Sequence, residues 1–422
     1  MNSDNLDKKI VAVVGLGYVG LPLALAFSNH FRVIGFDIDI EKINSLQLQY
    51  QKDILFTADP EQLSSADFLI MCVPTPVTKS KDPDLSFVRS AAELVGYHMK
   101  QDVVVILEST VYPGVTEEIV MPILEQVSAR KCGKDFKIAY SPERINPGDD
   151  EHEIAKITKV VAGMDEETTD LVARLYGNIT PTIFRAKNIK TAEAAKVIEN
   201  IQRDLNIALM NELALIFEKM GLKTRDVLDA AETKWNFHRY SPGLVGGHCI
   251  PVDPYYLVFK AQEIDYHPQV ILSGRAINDY MPKHVAYLAI KALNDAGKVI
   301  KGSRVLLMGL TYKENVPDIR ETPVKEIIHE LKDFNVEVIG FDPLLPSNDY
   351  IDEFGVELID NLESLKMQSF DCVIISVAHS VFRTLSLDDL KLIQNSDPIL
   401  IDIRGMFNSG EAASNGIAYF SL

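Results

Sequence analysis

Short apolar runs alternate along this chain with longer stretches in which apolar positions recur at helical spacing. Lys9 to Val14 is the first run; it breaks at Gly15-Leu-Gly-Tyr-Val-Gly20, and Leu21 to Ser28 reads as the helix that follows. A second run, Arg32 to Phe36, ends at Asp37, and further strands are expected at Phe68–Val73, Val103–Glu108 and Lys137–Tyr140. Alternation of this kind predicts a parallel sheet with helices on both faces. Around Thr191 the texture changes. Thr191 to Met220 is rich in Ala, Leu, Ile and Glu, and Gly221 supplies a stop. That predicts a single helix of roughly 45 Å, long enough to bridge domains and too apolar for a solvated strut, so a dimer or larger assembly is expected. Helical texture continues to about Gly297. From Ser303 a second β/α alternation begins, with strands at Arg304–Met308, Val336–Phe341 (ending at Asp342), Cys372–Val377 and Ile399–Ile403. The fold class expected is α/β: two Rossmann-like doubly wound domains, 1–190 and 301–422, joined by a helical domain, 191–300.

A chain of 422 residues is too long for one core, which agrees with that division. Its net charge of −18 argues against a nucleic-acid or anionic-membrane surface, although local basic sites for a phosphorylated ligand stay open. Cys72, Cys132, Cys249 and Cys372 are far apart with no C-x-x-C spacing, so neither a disulfide framework nor a metal centre is expected. The polar N-terminus runs straight into a strand, without the pattern of a signal peptide. No apolar run reaches the roughly 18 residues a membrane span needs. A soluble protein of a reducing, cytoplasmic compartment is expected.

The loop Gly15-x-Gly-x-x-Gly20 lies between a strand and a helix, with Asp37 seventeen residues past its last glycine at the end of the next strand. In that context it is a dinucleotide fingerprint. Gly15 makes the turn, Gly17 lets a pyrophosphate approach the helix N-terminus, and Gly20 lets helix and strand pack. Asp37 should accept from the adenosine ribose hydroxyls and repel a 2′-phosphate, favouring NAD over NADP. Val73-Pro-Thr-Pro76, Glu108-Ser-Thr110 and Ser141-Pro-Glu143 each follow a strand. Alone, each is an ordinary strand-end turn; together they suit one wall of a cofactor cleft, with a hydroxyl from Thr110 and a carboxyl from Glu143. A lone loop glutamate is nonetheless usually solvated.

The most informative segment is Leu244-Val-Gly-Gly-His-Cys-Ile-Pro-Val-Asp-Pro-Tyr-Tyr256. Its thiol, Cys249, follows two glycines that permit close approach, and Asp253 stands four residues on. A structural cysteine needs none of this. Combined with a dinucleotide fingerprint, a nucleophilic thiol points to an oxidation that passes through a thioester. Lys196 and Asn200 lie four apart on the long helix, in a stretch flanked by Ala192, Ala195 and Ile198. A helical lysine is normally a surface charge, but this pair reads as polar groups aimed into a site. His248 beside Cys249 invites a dyad reading that sequence neighbours seldom satisfy. His152, His238, His267, His284 and His379 are scattered.

In order, these motifs, with Lys313 to Arg320, resemble the UDP-glucose/GDP-mannose dehydrogenase family over about residues 8 to 410. The stretches Glu108–Gly114, Tyr140–Gly148, Glu193–Asn200 and Lys234–Phe237 look like its UDP-N-acetylhexosamine 6-dehydrogenase branch, which makes uronic acids for surface polysaccharides. The resemblance implies NAD as cofactor and a four-electron oxidation of the sugar C6 alcohol to an acid. It implies that Cys249 captures the aldehyde and Lys196, helped by Asn200, stabilises charge on the C6 oxygen. Asp253 with Thr110 would hold a basic water, and Glu143 would serve the hydrolytic water. It carries Tyr18, Val19, Lys42, Pro74, Thr75 and Arg320 over to the cofactor. Arg144, Asn146, Tyr240, Gly246 and Lys313 carry over to the substrate. Three positions depart from the family: Pro147 where a second acid is frequent, Val252 where lysine is frequent, and a shortened chain between Leu46 and Thr57. UDP-glucose or UDP-ManNAc oxidation, single-step β-hydroxyacid oxidation, which needs no thiol, and NAD sensing without catalysis are the alternatives.

Overall fold

The structure, a computed structural model, describes residues 6–50, 54–144 and 156–422. Eight strands form the first sheet: β1 (Ile10–Val14), β2 (Arg32–Phe36), β3 (Ile54–Thr57), β4 (Phe68–Met71), β5 (Val103–Leu107), β6 (Phe136–Tyr140), β7 (Thr158–Gly163) and β8 (Thr182–Arg185). Their order is β3-β2-β1-β4-β5-β6-β7-β8, so the order reverses between β1 and β4, the position at which doubly wound sheets bind ligands. The second sheet contains β9 (Arg304–Met308), β10 (Glu337–Phe341), β11 (Glu357–Ile359), β12 (Cys372–Ile375), β13 (Ile399–Asp402) and β14 (Ala418–Phe420). Its order, β11-β10-β9-β12-β13-β14, repeats the same reversal between β9 and β12.

Burial on both faces explains the unbroken apolar strands. In β1, Ala12 and Val14 enter one core, while Val11 and Val13 enter the core on the opposite face. β9 divides likewise, Val305 and Leu307 to one side and Leu306 and Met308 to the other. The strands read from sequence agree within two residues at each end. The pattern alone did not indicate β3, β7, β8, β11 and β14. One pairing departs from the all-parallel expectation: β7 runs antiparallel to β6, with Tyr140 opposite Ala162.

The long helix spans Ile189–Met220 and a second spans Gln269–Asp295. The chain groups into two compact units, Met1–Asn200 with Val252–His267, and Ile201–Pro251 with Pro268–Leu422. Among the described residues no helix is long and apolar enough to cross a membrane.

Candidate active site

In the first unit the carboxyl ends of β1, β4, β5 and β6 carry the sequence-identified loops. Gly15 has φ +93°, and a Cβ there would stand 2.5 Å from the Cys72 carbonyl oxygen; at Gly20 it would stand 1.8 Å from the Gly15 carbonyl oxygen. Both glycines are demanded by the chain itself. At Gly17 a Cβ would meet no described atom within 4 Å, so the space over this backbone is open. The helix Gly20–Phe27 has no side-chain cap at Val19 among the described residues. Leu21 N–H donates to the Gly17 carbonyl (3.1 Å), Leu23 N–H to the Val19 carbonyl (3.3 Å) and Pro22 carries no N–H, so an anion here meets the open backbone of the glycine loop rather than a free first turn. This cradle fits a dinucleotide pyrophosphate. Tyr18, beside it, is exposed.

Asp37, at the end of β2, is buried and accepts from Leu16 N–H (2.9 Å), Asp39 N–H (3.1 Å) and Lys42 Nζ (2.9 Å). Burial disfavours its charge, but Lys42 and the two amides outweigh that and hold its carboxyl below the usual range. Asp37, expected at the ribose, also clamps the glycine loop through its bond from Leu16 N–H. Pro74 is exposed, and the loop around Thr75 is held by the Tyr256 hydroxyl, which donates to the Pro76 carbonyl at 3.1 Å. Thr110 is half-buried, directly after Ser109, whose hydroxyl donates to Val73 O (2.7 Å) and accepts from Val73 N–H (3.0 Å).

Four of the sequence-identified side chains come together at this edge. Lys196 is 6% exposed and Glu143 is 9% exposed, with Lys196 Nζ 3.7 Å from Glu143 Oε2. Asp253, the first residue of the helix Asp253–Glu263, is buried and accepts from Asn200 Nδ2 at 2.5 Å. Burial pushes the Glu143 carboxyl up to about 7; Lys196 pulls it back, while Asp253 and Glu199 push it further. Burial lifts Asp253 to about 6, again against Lys196 and the Asn200 hydrogen bond. Two carboxyls poised near neutrality around one ammonium are equipped for proton transfer and for stabilising an oxyanion. Ile198, expected to flank Lys196, is 57% exposed, because two helical residues span about 200° of rotation.

Other assignments acquire partners within the chain. Arg144 holds Glu199 through Nε (3.3 Å) and Nη2 (2.5 Å), and donates from Nη1 to the Thr158 carbonyl (2.8 Å). Asn146 and Pro147 lie outside the described residues, as does part of the shortened segment, 51–53.

Cys249 is half-buried in a turn of the second unit. The glycines before it are required by neighbouring chain: a Cβ at Gly246 would lie 2.6 Å from Pro323 Cδ, and one at Gly247 (φ +84°) 2.7 Å from the Tyr312 ring. The close approach anticipated for a ligand is thus made, in part, by Tyr312 and Pro323. Arg320 grips Asp318 through Nε (3.0 Å) and Nη2 (2.5 Å), and Lys313 is half-buried on the same loop. Tyr240 lies 3.3 Å from Gln202 Nε2 through its hydroxyl.

One feature escaped sequence reasoning. A cleft of about 320 Å³ is lined by Arg225, Arg239, Arg383 and Arg404, with Ser241 and Met406. Of these four guanidinium groups, Arg239 is paired with Asp229 (2.6 Å) and Glu232 (2.5 Å) and Arg404 with Glu314 (3.6 Å), so the positive charge gathered in the cleft is partly offset. Asn211 fixes the adjoining loop, accepting from Gly243 N–H (2.8 Å) and donating to Gly243 O (3.0 Å). The arginines lie up to 179 residues apart, from Arg225 to Arg404, so no local spacing announces them.

Three models of the UDP-glucose/GDP-mannose dehydrogenase family match in series: its NAD binding domain over residues 9–180, its central domain over 190–280 and its UDP binding domain over 306–409. Protein CapL of Staphylococcus aureus is 49% identical over 414 residues, 95% of this chain and 97% of that one. The UDP-N-acetyl-D-glucosamine 6-dehydrogenase of Pseudomonas aeruginosa is 45% identical over 416 residues, 95% and 98% of the two chains. Among solved structures, the UDP-D-ManNAc dehydrogenase of Pyrococcus horikoshii superposes with a TM-score of 0.87 at 28% identity, covering 98% of each chain.

Proposed function

Because the chain belongs to the UDP-glucose/GDP-mannose dehydrogenase family and is an NAD-dependent nucleotide-sugar dehydrogenase, we propose that it oxidises the C6 alcohol of a UDP-N-acetylhexosamine to the uronic acid through a thioester on Cys249. The observation that carries this reading is the buried Glu143–Lys196–Asp253–Asn200 cluster at the carboxyl edge of the first sheet. The 45% identity to the Pseudomonas enzyme supports the acetylated hexosamine.

Bound NAD⁺ supplies the hydride acceptor for both oxidations. Lys196 stabilises the negative charge that develops on the C6 oxygen. Asp253, ionised above about 6 and oriented by Asn200, takes the alcohol proton through a water that Thr110 helps to hold. The Cys249 thiolate adds to the aldehyde carbon, forming the C–S bond of a thiohemiacetal that loses the second hydride to become the thioester. In the last step Glu143 takes a proton from water as its oxygen adds to the thioester carbonyl. The C–S bond then breaks and the thiolate leaves. Overall, one alcohol, two NAD⁺ and one water give one carboxylate, two NADH and three protons.

The arginine cleft is the proposed place for the diphosphate, beside the loop that carries Ser241. Residues 1–190 would serve the cofactor, 191–300 assembly and 301–422 the nucleotide sugar. Exposed Ile198, Leu209, Ile216 and Met220 on the long helix support a homodimer or larger homo-oligomer. A cytoplasmic enzyme supplying surface-polysaccharide precursors completes the proposal.

Initial rates with UDP-GlcNAc, UDP-GalNAc, UDP-ManNAc and UDP-glucose test the substrate class. UDP-GlcNAc or UDP-GalNAc should give the highest kcat/KM; preference for UDP-glucose or UDP-ManNAc would contradict the assignment. The carboxyl pKa values predict the acid limb. Both groups act as ionised bases and both are raised by burial, so activity falls as pH drops through their folded values. The kcat/KM profile should be half-maximal near pH 6, from Asp253, and single-turnover thioester hydrolysis near pH 7, from Glu143. Profiles flat down to pH 5 would remove both roles.

A further inference from the structure

Lys159, near the start of β7, is 2% exposed, and the chemistry above does not use it. Its ammonium donates to the Pro142 carbonyl at 2.6 Å and pairs with the buried Glu108 carboxylate. The other Glu108 oxygen accepts from the Tyr176 hydroxyl at 2.6 Å, and Lys159 Nζ lies 5.4 Å from the centre of the Tyr176 ring. Each group stands next to a residue of the site: Pro142 precedes Glu143, and Glu108 precedes Ser109 and Thr110. The antiparallel direction of β7 makes this possible. A parallel strand would end at the carboxyl edge of the sheet; β7 begins there, so its second side chain reaches the loop after β6.

A buried ion pair is a poor stability device, since apolar residues of the same volume hold a sheet as well or better. What apolar residues cannot do is grip a carbonyl. One ammonium here ties the loop after β6 to the end of β5, and Ser109 ties that end to the loop after β4. We propose that Lys159, anchored by Glu108 and Tyr176, is a positioning residue for the hydrolytic half of the reaction: by holding the Pro142 carbonyl, it sets where the Glu143 carboxyl stands against Lys196. This rests on the role proposed for Glu143. Without the grip, Glu143 is displaced from the line of the hydrolytic water, while Lys196 and Asp253, on other elements, keep their places for the oxidations, and the strand end that carries Thr110 stays tied to Val73 through Ser109.

The test compares Lys159→Arg with a Lys159→Met/Glu108→Gln pair, which removes both buried charges together. Stopped-flow NADH formation and the intact mass of quenched enzyme are measured with a UDP-N-acetylhexosamine and excess NAD⁺. The pair should release its first two NADH per active site as a burst at close to the native rate. It should then turn over roughly 10²-fold more slowly, with Cys249 carrying the acyl adduct. Lys159→Arg, which keeps a donor and a charge, should recover part of the steady-state rate. Native burst, turnover and adduct level in the pair would overturn the proposal. So would loss of the burst in step with NAD affinity and melting temperature, since Lys159 would then serve folding alone. Failure of the thioester reading is distinct: the wild-type enzyme itself would release one NADH per sugar or never carry an adduct.

Discussion

Cys249→Ala enzyme, given excess NAD⁺ and a UDP-N-acetylhexosamine, is expected to form uronic acid slower than wild type by a factor of roughly 10³ or more. Binding of NAD and nucleotide sugar should survive, because the thiol is small and enters only after the first hydride has left. The first oxidation remains chemically possible, so product should stall at the aldehyde; Cys249→Ser should behave alike. Iodoacetamide should inactivate the wild-type enzyme, with protection by nucleotide sugar, since the thiolate is the nucleophile. Mass spectrometry of the products checks the prediction. Two NADH and a uronic acid at near-native rate from Cys249→Ala would refute the thioester.

Lys196→Ala should fail earlier. Charge develops on the C6 oxygen in every step, so the first oxidation itself should slow by roughly 10²–10³-fold in kcat. A second effect follows from the cluster. Lys196 holds both Glu143 and Asp253 down against burial. Its removal should lift both carboxyls and shift the acid limb of the pH profile to higher pH. Lys196→Arg should reverse part of that shift, while fitting the buried space poorly. A Lys196→Ala enzyme with a native first-hydride rate, measured by single turnover, would show that the ammonium is structural.

Strands buried on both faces were legible because they leave no polar residue to interrupt the run: β2 and β9 were read to the residue. β7 was not, because it opens with Thr158 and Lys159, a lysine that looks solvated until Glu108 and Pro142 are folded against it. Exposed β8, at the sheet edge, lacks the apolar signature altogether. Within the site, Lys196 and Asn200 could be paired from their helical spacing, and Glu143 could be placed at the strand end. The Asn200–Asp253 bond could not be foreseen, since it spans 53 residues and helical periodicity is silent on tertiary contacts. The arginine cleft was hidden for the same reason: charge patterning shows clusters in sequence, and these four are clustered only in space.

The central claim is a four-electron oxidation carried through by one enzyme, and counting electrons tests it most directly. Wild-type enzyme with limiting UDP-N-acetylhexosamine and excess NAD⁺ should release two NADH per sugar, with the uronic acid as the sole end product. One NADH per sugar, with an aldehyde or ketone accumulating, would contradict it.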